Sequence, residues 1–246
     1  MTIQKQNKNL MIKMMATGFL LSIFMGLCPS SSFAQEWYYP MDRYEERITI
    51  KDFGMLIDDD FYKGKEHLFP YNTFYGYHAA VDLEVFSEEK NESVPVYAVA
   101  KGKITFVGHI QGYGGVIRQE VDGGNRTALY GHVKITGFSP HASDIVNAGE
   151  MIGYLGDEFS DQTSQERKHL HFGIYKGKDY SFHGHETSEK ILTENWENPT
   201  IYLKEKGAVS PVASQVTTVP VVQEKSTPLP LIIEWIKSIF YALLRI

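Results

Sequence analysis

Two short segments carry residue types that can bind a metal ion and use it in hydrolysis. Tyr77-His78-Ala79-Ala80-Val81-Asp82 contains an H-x-x-x-D, and His169-Leu170-His171-Phe172-Gly173-Ile174-Tyr175 contains an H-x-H. Together they offer two imidazoles and a carboxylate to one ion. Three such nitrogen and oxygen ligands satisfy Zn²⁺ while leaving a fourth position for water, which separates a catalytic site from a closed structural one. The chemistry these residues support is zinc-assisted hydrolysis.

Elements of defined period must position them. Side chains on a strand alternate between faces, so His169, His171, Gly173 and Tyr175 share one face while Leu170, Phe172 and Ile174 share the other. The apolar face enters a core and both histidines look into one groove. In the first segment, residues four apart lie on one face of a helix but roughly 13 Å apart along an extended strand. Either the chain is helical here or it turns between His78 and Asp82. Val81, Leu83 and Val85 alternate with Asp82, Glu84 and Phe86, which favours a strand beginning near Asp82 and places His78 on the loop leading in.

The order and spacing of further pieces resemble the lysostaphin/LytM-type zinc metallopeptidases, which cut peptide bonds in bacterial cell walls. The resemblance covers roughly the middle two-thirds of the chain. The pieces are Gly76-Tyr77-His78 with Asp82, then Val94-Pro95-Val96-Tyr97-Ala98-Val99-Ala100-Lys101-Gly102, Gly112-Tyr113-Gly114-Gly115 and Tyr130-Gly131-His132. They continue with Val146-Asn147-Ala148-Gly149, Ile152-Gly153, Gly156 and His169-Leu170-His171-Phe172. The resemblance implies that His78, Asp82 and His171 hold one zinc ion and that His132 and His169 are unliganded active-site histidines. One would help activate a water whose pKa the ion lowers, and the other would support the tetrahedral intermediate. Two departures stand out: Ala80 where the family often has Gly, and Arg167-Lys168 where it has Gly-Pro. Both are expected to leave the inferred ligands untouched and to bear on substrate preference.

His132 lies near the end of a predicted strand, 126–133, and on strand alternation shares a face with Tyr130, making Tyr130 a substrate-contact candidate. His183-Gly184-His185 is a rival H-x-H without apolar alternation at its flanks and reads as a loop bordering the groove. His67, His109 and His141 read as solvent-exposed. Gly112-Tyr113-Gly114-Gly115 reads as a tight turn, since no Gly-Lys-Ser/Thr follows it.

The fold class expected is mainly β, an antiparallel sheet forming a groove with a zinc site and few short helices. Ile104–Val107, Val116–Val121 and Thr127–Tyr130 are its clearest strands, with Asp122-Gly123-Gly124-Asn125 as a hairpin turn. Asp58-Asp59-Asp60 reads as a solvated acidic turn. The expected organisation is a signal peptide over 1–34, a lead-in and groove wall over 35–72, and a metallopeptidase domain over 73–204. A Pro/Ser/Thr/Val linker over 205–230 and an amphipathic helix over 231–246 follow.

The signal reading rests on Lys5, Lys8 and Lys13 ahead of the apolar run 14–27, and on Ser32 and Ala34 at the positions a signal peptidase reads. An uncleaved anchor is the alternative. Cleavage after Ala34 removes three lysines and no acidic residue, taking the formal charge from −6 to −9. Such a protein does not gather on nucleic-acid phosphates. It also removes Cys28, the only cysteine, and with it any disulfide, thiolate metal site or thiol nucleophile.

The partner expected is therefore a peptidoglycan peptide in the cell envelope, periplasmic or extracellular, with no nucleic acid. The 231–246 helix carries Ile232, Trp235, Ile236, Ile239, Phe240 and Leu243 at helical spacing, an apolar face for a membrane surface or a protein partner. A non-catalytic relative that activates another wall hydrolase is the competing function. A plain β-sheet binding module is third, and leaves the histidine and aspartate matches unexplained.

Overall fold

The computed structural model describes residues 36–71, 74–178 and 183–211. The segments expected to be a signal peptide (1–34), the remainder of a linker (beyond residue 211) and an amphipathic helix (231–246) lie outside the described residues. In chain order the strands are β1 (Leu56–Ile57), β2 (Gly76–His78), β3 (Val81–Glu84), β4 (Pro95–Tyr97), β5 (Gly102–Ile110), β6 (Gly114–Val121) and β7 (Arg126–Gly131). They continue as β8 (Val133–Lys134), β9 (Ile145–Val146), β10 (Met151–Leu155), β11 (His169–Lys176), β12 (His185–Glu186) and β13 (Trp196–Glu197). The α-helices are short: α1 (Asp59–Tyr62), α2 (Glu189–Asn195) and α3 (Pro199–Glu205).

A seven-stranded sheet of order β13-β11-β7-β6-β5-β9 forms the platform, with β3 also pairing β11. Two three-stranded sheets, β4-β10-β8 and β1-β2-β12, accompany it. The ladders of all three are antiparallel, as expected. The tight turn expected at Gly112 and the hairpin turn expected at 122–125 are both present. Gly112 turns β5 into β6 at φ +89°, and Asp122, Gly123 and Gly124, all left-handed, turn β6 into β7. Left-handed backbone costs an L side chain but not glycine, which is why glycines mark these turns.

Strand alternation decides which face of the platform is core. Leu170, Phe172 and Ile174 of β11 are fully buried with Val81 and Leu83 of β3 and Ala128 and Tyr130 of β7. Val96, Ile152, Leu155 and Val133 join them from the second sheet and its strands. Each such aliphatic or aromatic side chain contributes about 1.5–3 kcal/mol relative to exposure, so a one-residue slip of β11 would forfeit three of them and bury two histidines in their place. The register is therefore well specified, and the opposite face is free to carry polar residues.

Two further segments anchor this body. Trp37 is buried and bridges Ala100, and Val209 N–H donates to Trp37 O at 3.0 Å. The acidic run does more than turn in solvent, because the Asp58 carboxylate caps α1 by accepting from Phe61 N–H at 3.0 Å.

Candidate metal centre and its groove

The polar face of β11 meets β3 and β7 in a register that assembles the site. His171 stands directly opposite Asp82 on one side and Gly131 on the other. Residues opposite one another on antiparallel strands bring their side chains together on one face. His78 arrives from the end of β2, and Ala79 and Ala80 turn the chain into β3, so His78 sits on a strand rather than on the expected loop. The turn folds the H-x-x-x-D back on itself, giving a His78 Nε2 to Asp82 Oδ1 distance of 3.2 Å.

Three donor atoms form a nearly equilateral triangle. His78 Nε2 is 3.2 Å from His171 Nδ1, and His171 Nδ1 is 3.1 Å from Asp82 Oδ1. Neighbouring donors around a tetrahedral zinc at ~2.0–2.1 Å stand about 3.3 Å apart. The three side chains are buried, and among the described residues they are the one group of metal-ligating type so disposed.

Hydrogen bonding satisfies this triangle only in part, through one shared His171 Nδ1 proton. His78 Nδ1–H donates to Asp52 O at 3.1 Å, since a carbonyl can only accept, and this leaves a lone pair on Nε2. Nε2 then faces an ionised carboxylate oxygen at 3.2 Å, lone pair against lone pair. A cation at the centre satisfies all three atoms at once, and the bond to Asp52 O is the outer support that fixes a ligand's tautomer. The donor set therefore fits Zn²⁺.

Around the triangle lie the other histidines. His169 Nδ1–H donates to Arg167 O at 2.8 Å, and its Nε2 is 3.4 Å from Asp82 Oδ2. The His132 ring lies 4.4 Å from that of His169, centroid to centroid. His132 has φ +60°, outside the strand, and its carbonyl accepts from Gly156 N–H. That left-handed residue breaks the alternation on which Tyr130 was expected in the groove. Tyr130 points instead into the core, where its hydroxyl donates to Gln119 Oε1 at 2.7 Å and accepts from Val99 N–H. It makes no substrate contact from there.

Other expectations change too. His185 lies on β12, paired directly with His78, and stacks on Phe74 at the edge of the groove, so the rival H-x-H is partly strand. His67, His109 and His141 are exposed, as read. Arg167 does touch an inferred ligand: its Nη2 is 2.8 Å from Asp82 Oδ2.

Sequence reasoning also passed over Tyr113, whose hydroxyl is 3.4 Å from His171 Nε2. A Cβ at Gly131 would lie 2.5 Å from its ring, and one at Gly184 would lie 2.8 Å from its hydroxyl. Glycines at those two positions are what give Tyr113 room against the site. The groove in front of these residues has a volume of about 300 Å³, with Lys51 and Glu166 among its lining.

Burial dominates the electrostatics. It pushes His132 down to about 3, His171 to about 4 and His185 to about 2, and with the Arg167 charge it holds His169 well below the ordinary histidine value of 6.5. Burial would raise the Asp82 carboxyl, but His169, His78 and His171 more than offset it and keep Asp82 ionised. Burial raises Glu84 to about 6 and raises Glu166 as well.

A stability prediction follows for the metal-free protein. Between pH 6.5 and 5 the unfolded histidines bind protons that the buried ones refuse, so stability falls as pH falls, by roughly 1–2 kcal/mol per depressed histidine. Glu84 and Glu166 act in the opposite direction, but four depressed histidines outnumber them. The chelator-treated protein should therefore melt at a lower temperature at pH 5 than at pH 7.5, and an equal or higher melting temperature at pH 5 contradicts this assignment of neutral buried imidazoles.

Residues 76–182 match the family model described as Peptidase family M23, a stretch that contains all five inferred site residues. The catalytic domain of the antimicrobial peptidase lysostaphin from Staphylococcus simulans is 25% identical over 56% of this chain and 96% of that chain, with a TM-score of 0.39. The LytU structure is 23% identical over 61% and 86%, with a TM-score of 0.40. A search of curated proteins finds no match.

Proposed function

We propose that this chain, whose residues 76–182 match the Peptidase family M23 model, is an exported zinc endopeptidase hydrolysing peptide bonds of bacterial peptidoglycan. The observation that carries this is the donor triangle of His78, Asp82 and His171, with sides of 3.1–3.2 Å that match neighbouring donors around one zinc ion. Export is supported by the basic and apolar character of residues 1–34, and peripheral association with a membrane or protein by the amphipathic spacing of residues 231–246.

Bound at the triangle, zinc would polarise the scissile carbonyl and lower the pKa of water. The chain's own residues divide the remaining work. His169 donates through Nδ1 to Arg167 O, so its Nε2 is the free base, and Asp82 Oδ2 at 3.4 Å stabilises the proton it takes up. His132, held neutral by burial, offers an imidazole N–H to the oxyanion. With His171 Nδ1 a corner of the triangle, its Nε2–H donates to the Tyr113 hydroxyl at 3.4 Å, which holds that ring in place. The groove lets an extended peptide reach these atoms, while the apolar face of β11 keeps the platform rigid beneath them.

The test is digestion of purified cell walls of defined cross-bridge. The zinc-loaded protein should release new amino termini, lose that activity to a zinc chelator and regain it on adding zinc. Absence of new termini from both glycine-bridged and directly cross-linked walls rejects the proposal.

A further inference from the structure

Arg167 lies two residues ahead of β11, and Asp82 and Glu84 occupy the same face of the neighbouring β3, with Asp82 opposite His171 and Glu84 opposite His169. Arg167 is thereby set beside both acids. Its Nη2 donates to Asp82 Oδ2 at 2.8 Å and to Glu84 Oε1 at 2.5 Å, and its Nε lies 3.1 Å from each Glu84 oxygen. The guanidinium is buried, as are both partners or nearly so. A planar fork held on two carboxylates in a water-poor setting has one geometry available, which a lysine does not reproduce.

The consequence falls on Asp82, whose two oxygens are assigned to different partners. Oδ1 belongs to the triangle with His78 and His171, and Oδ2 belongs to Arg167, with His169 Nε2 beyond it. We propose that Arg167, braced by Glu84, is a positioning residue that makes Asp82 a one-oxygen metal ligand, and so sets both the affinity and the low coordination number of the site. This rests on the zinc peptidase reading. Its value to the reaction is that a second carboxylate oxygen on the ion would occupy the position that water needs.

Charge and position make different predictions here: opposite signs when Arg167 alone is removed, and no change against weakening when Arg167 and Glu84 are removed together. Deleting a cation beside a metal site makes the site more negative and, by Coulomb attraction alone, tightens metal binding. Losing the brace weakens it, by the 10- to 100-fold typical of lost outer-sphere partners.

Arg167→Met strands two buried carboxylates and risks misfolding, so Arg167→Met with Glu84→Gln, which removes the pair together, is the decisive variant. Its zinc affinity is measured by competition with a chelating dye, and its cobalt-substituted form by visible absorption. The expected results are a zinc dissociation constant 10- to 100-fold above wild type and weakened cobalt bands as Asp82 adds its second oxygen. Zinc binding as tight as wild type, or tighter, in the folded double variant overturns the inference, as does Arg167→Lys matching wild type. A wild-type protein that takes up no zinc would instead reject the proposed function, and this inference with it.

Discussion

Alanine at His171 is expected to remove zinc and hydrolysis together. The side chain supplies one corner of a triangle whose other atoms, His78 Nε2 and Asp82 Oδ1, cannot satisfy each other at 3.2 Å. Two donors do not hold the ion against competing water. The ion's stabilisation of charge in the transition state is worth several kcal/mol, so the rate should fall by about 10³-fold or more. His78→Ala and Asp82→Ala should behave alike, with zinc measured by elemental analysis after gel filtration. Full zinc occupancy in Asp82→Ala would remove that residue from the ligand set. His171→Ala should keep its β structure, because the apolar face of β11 that binds the platform is unchanged.

His132→Ala and His169→Ala should give the complementary result: zinc retained at one per chain, turnover lower by roughly 10²-fold or more, as for lost acid–base or oxyanion help. Neither ring is a corner of the triangle. His169 approaches only the outer oxygen of Asp82, and His132 meets the His169 ring at 4.4 Å. Loss of zinc from His169→Ala would mean that the two histidines of the H-x-H have exchanged roles. Substrate affinity should change less than turnover, since both groups act on charge that develops during the reaction.

Arg167 shows how a departure from a family pattern can be misjudged from sequence. Read as a chain, Arg167-Lys168 is two basic residues ahead of the H-x-H, and nothing in their spacing says that one of them reaches a ligand 85 positions earlier. Lys168 is anchored separately, donating to the carbonyls of Glu89, Lys90 and Glu92. The error over Tyr130 has a different source, a single left-handed residue at His132 that ended the strand at Gly131, two positions early.

What the sequence by itself determined is local and periodic. The H-x-H on a strand with Leu170, Phe172 and Ile174 behind it, the glycine turns and the antiparallel class all follow from side-chain alternation and backbone preference, which act over a few residues. Only the tertiary structure decided which atoms meet. The β3–β11 register set Asp82 against His171, the Ala79-Ala80 turn returned His78 to them, and Asp52, Tyr113, Glu84 and Arg167 closed in from separate segments. Those contacts depend on register and burial across tens of residues, where no local period carries information.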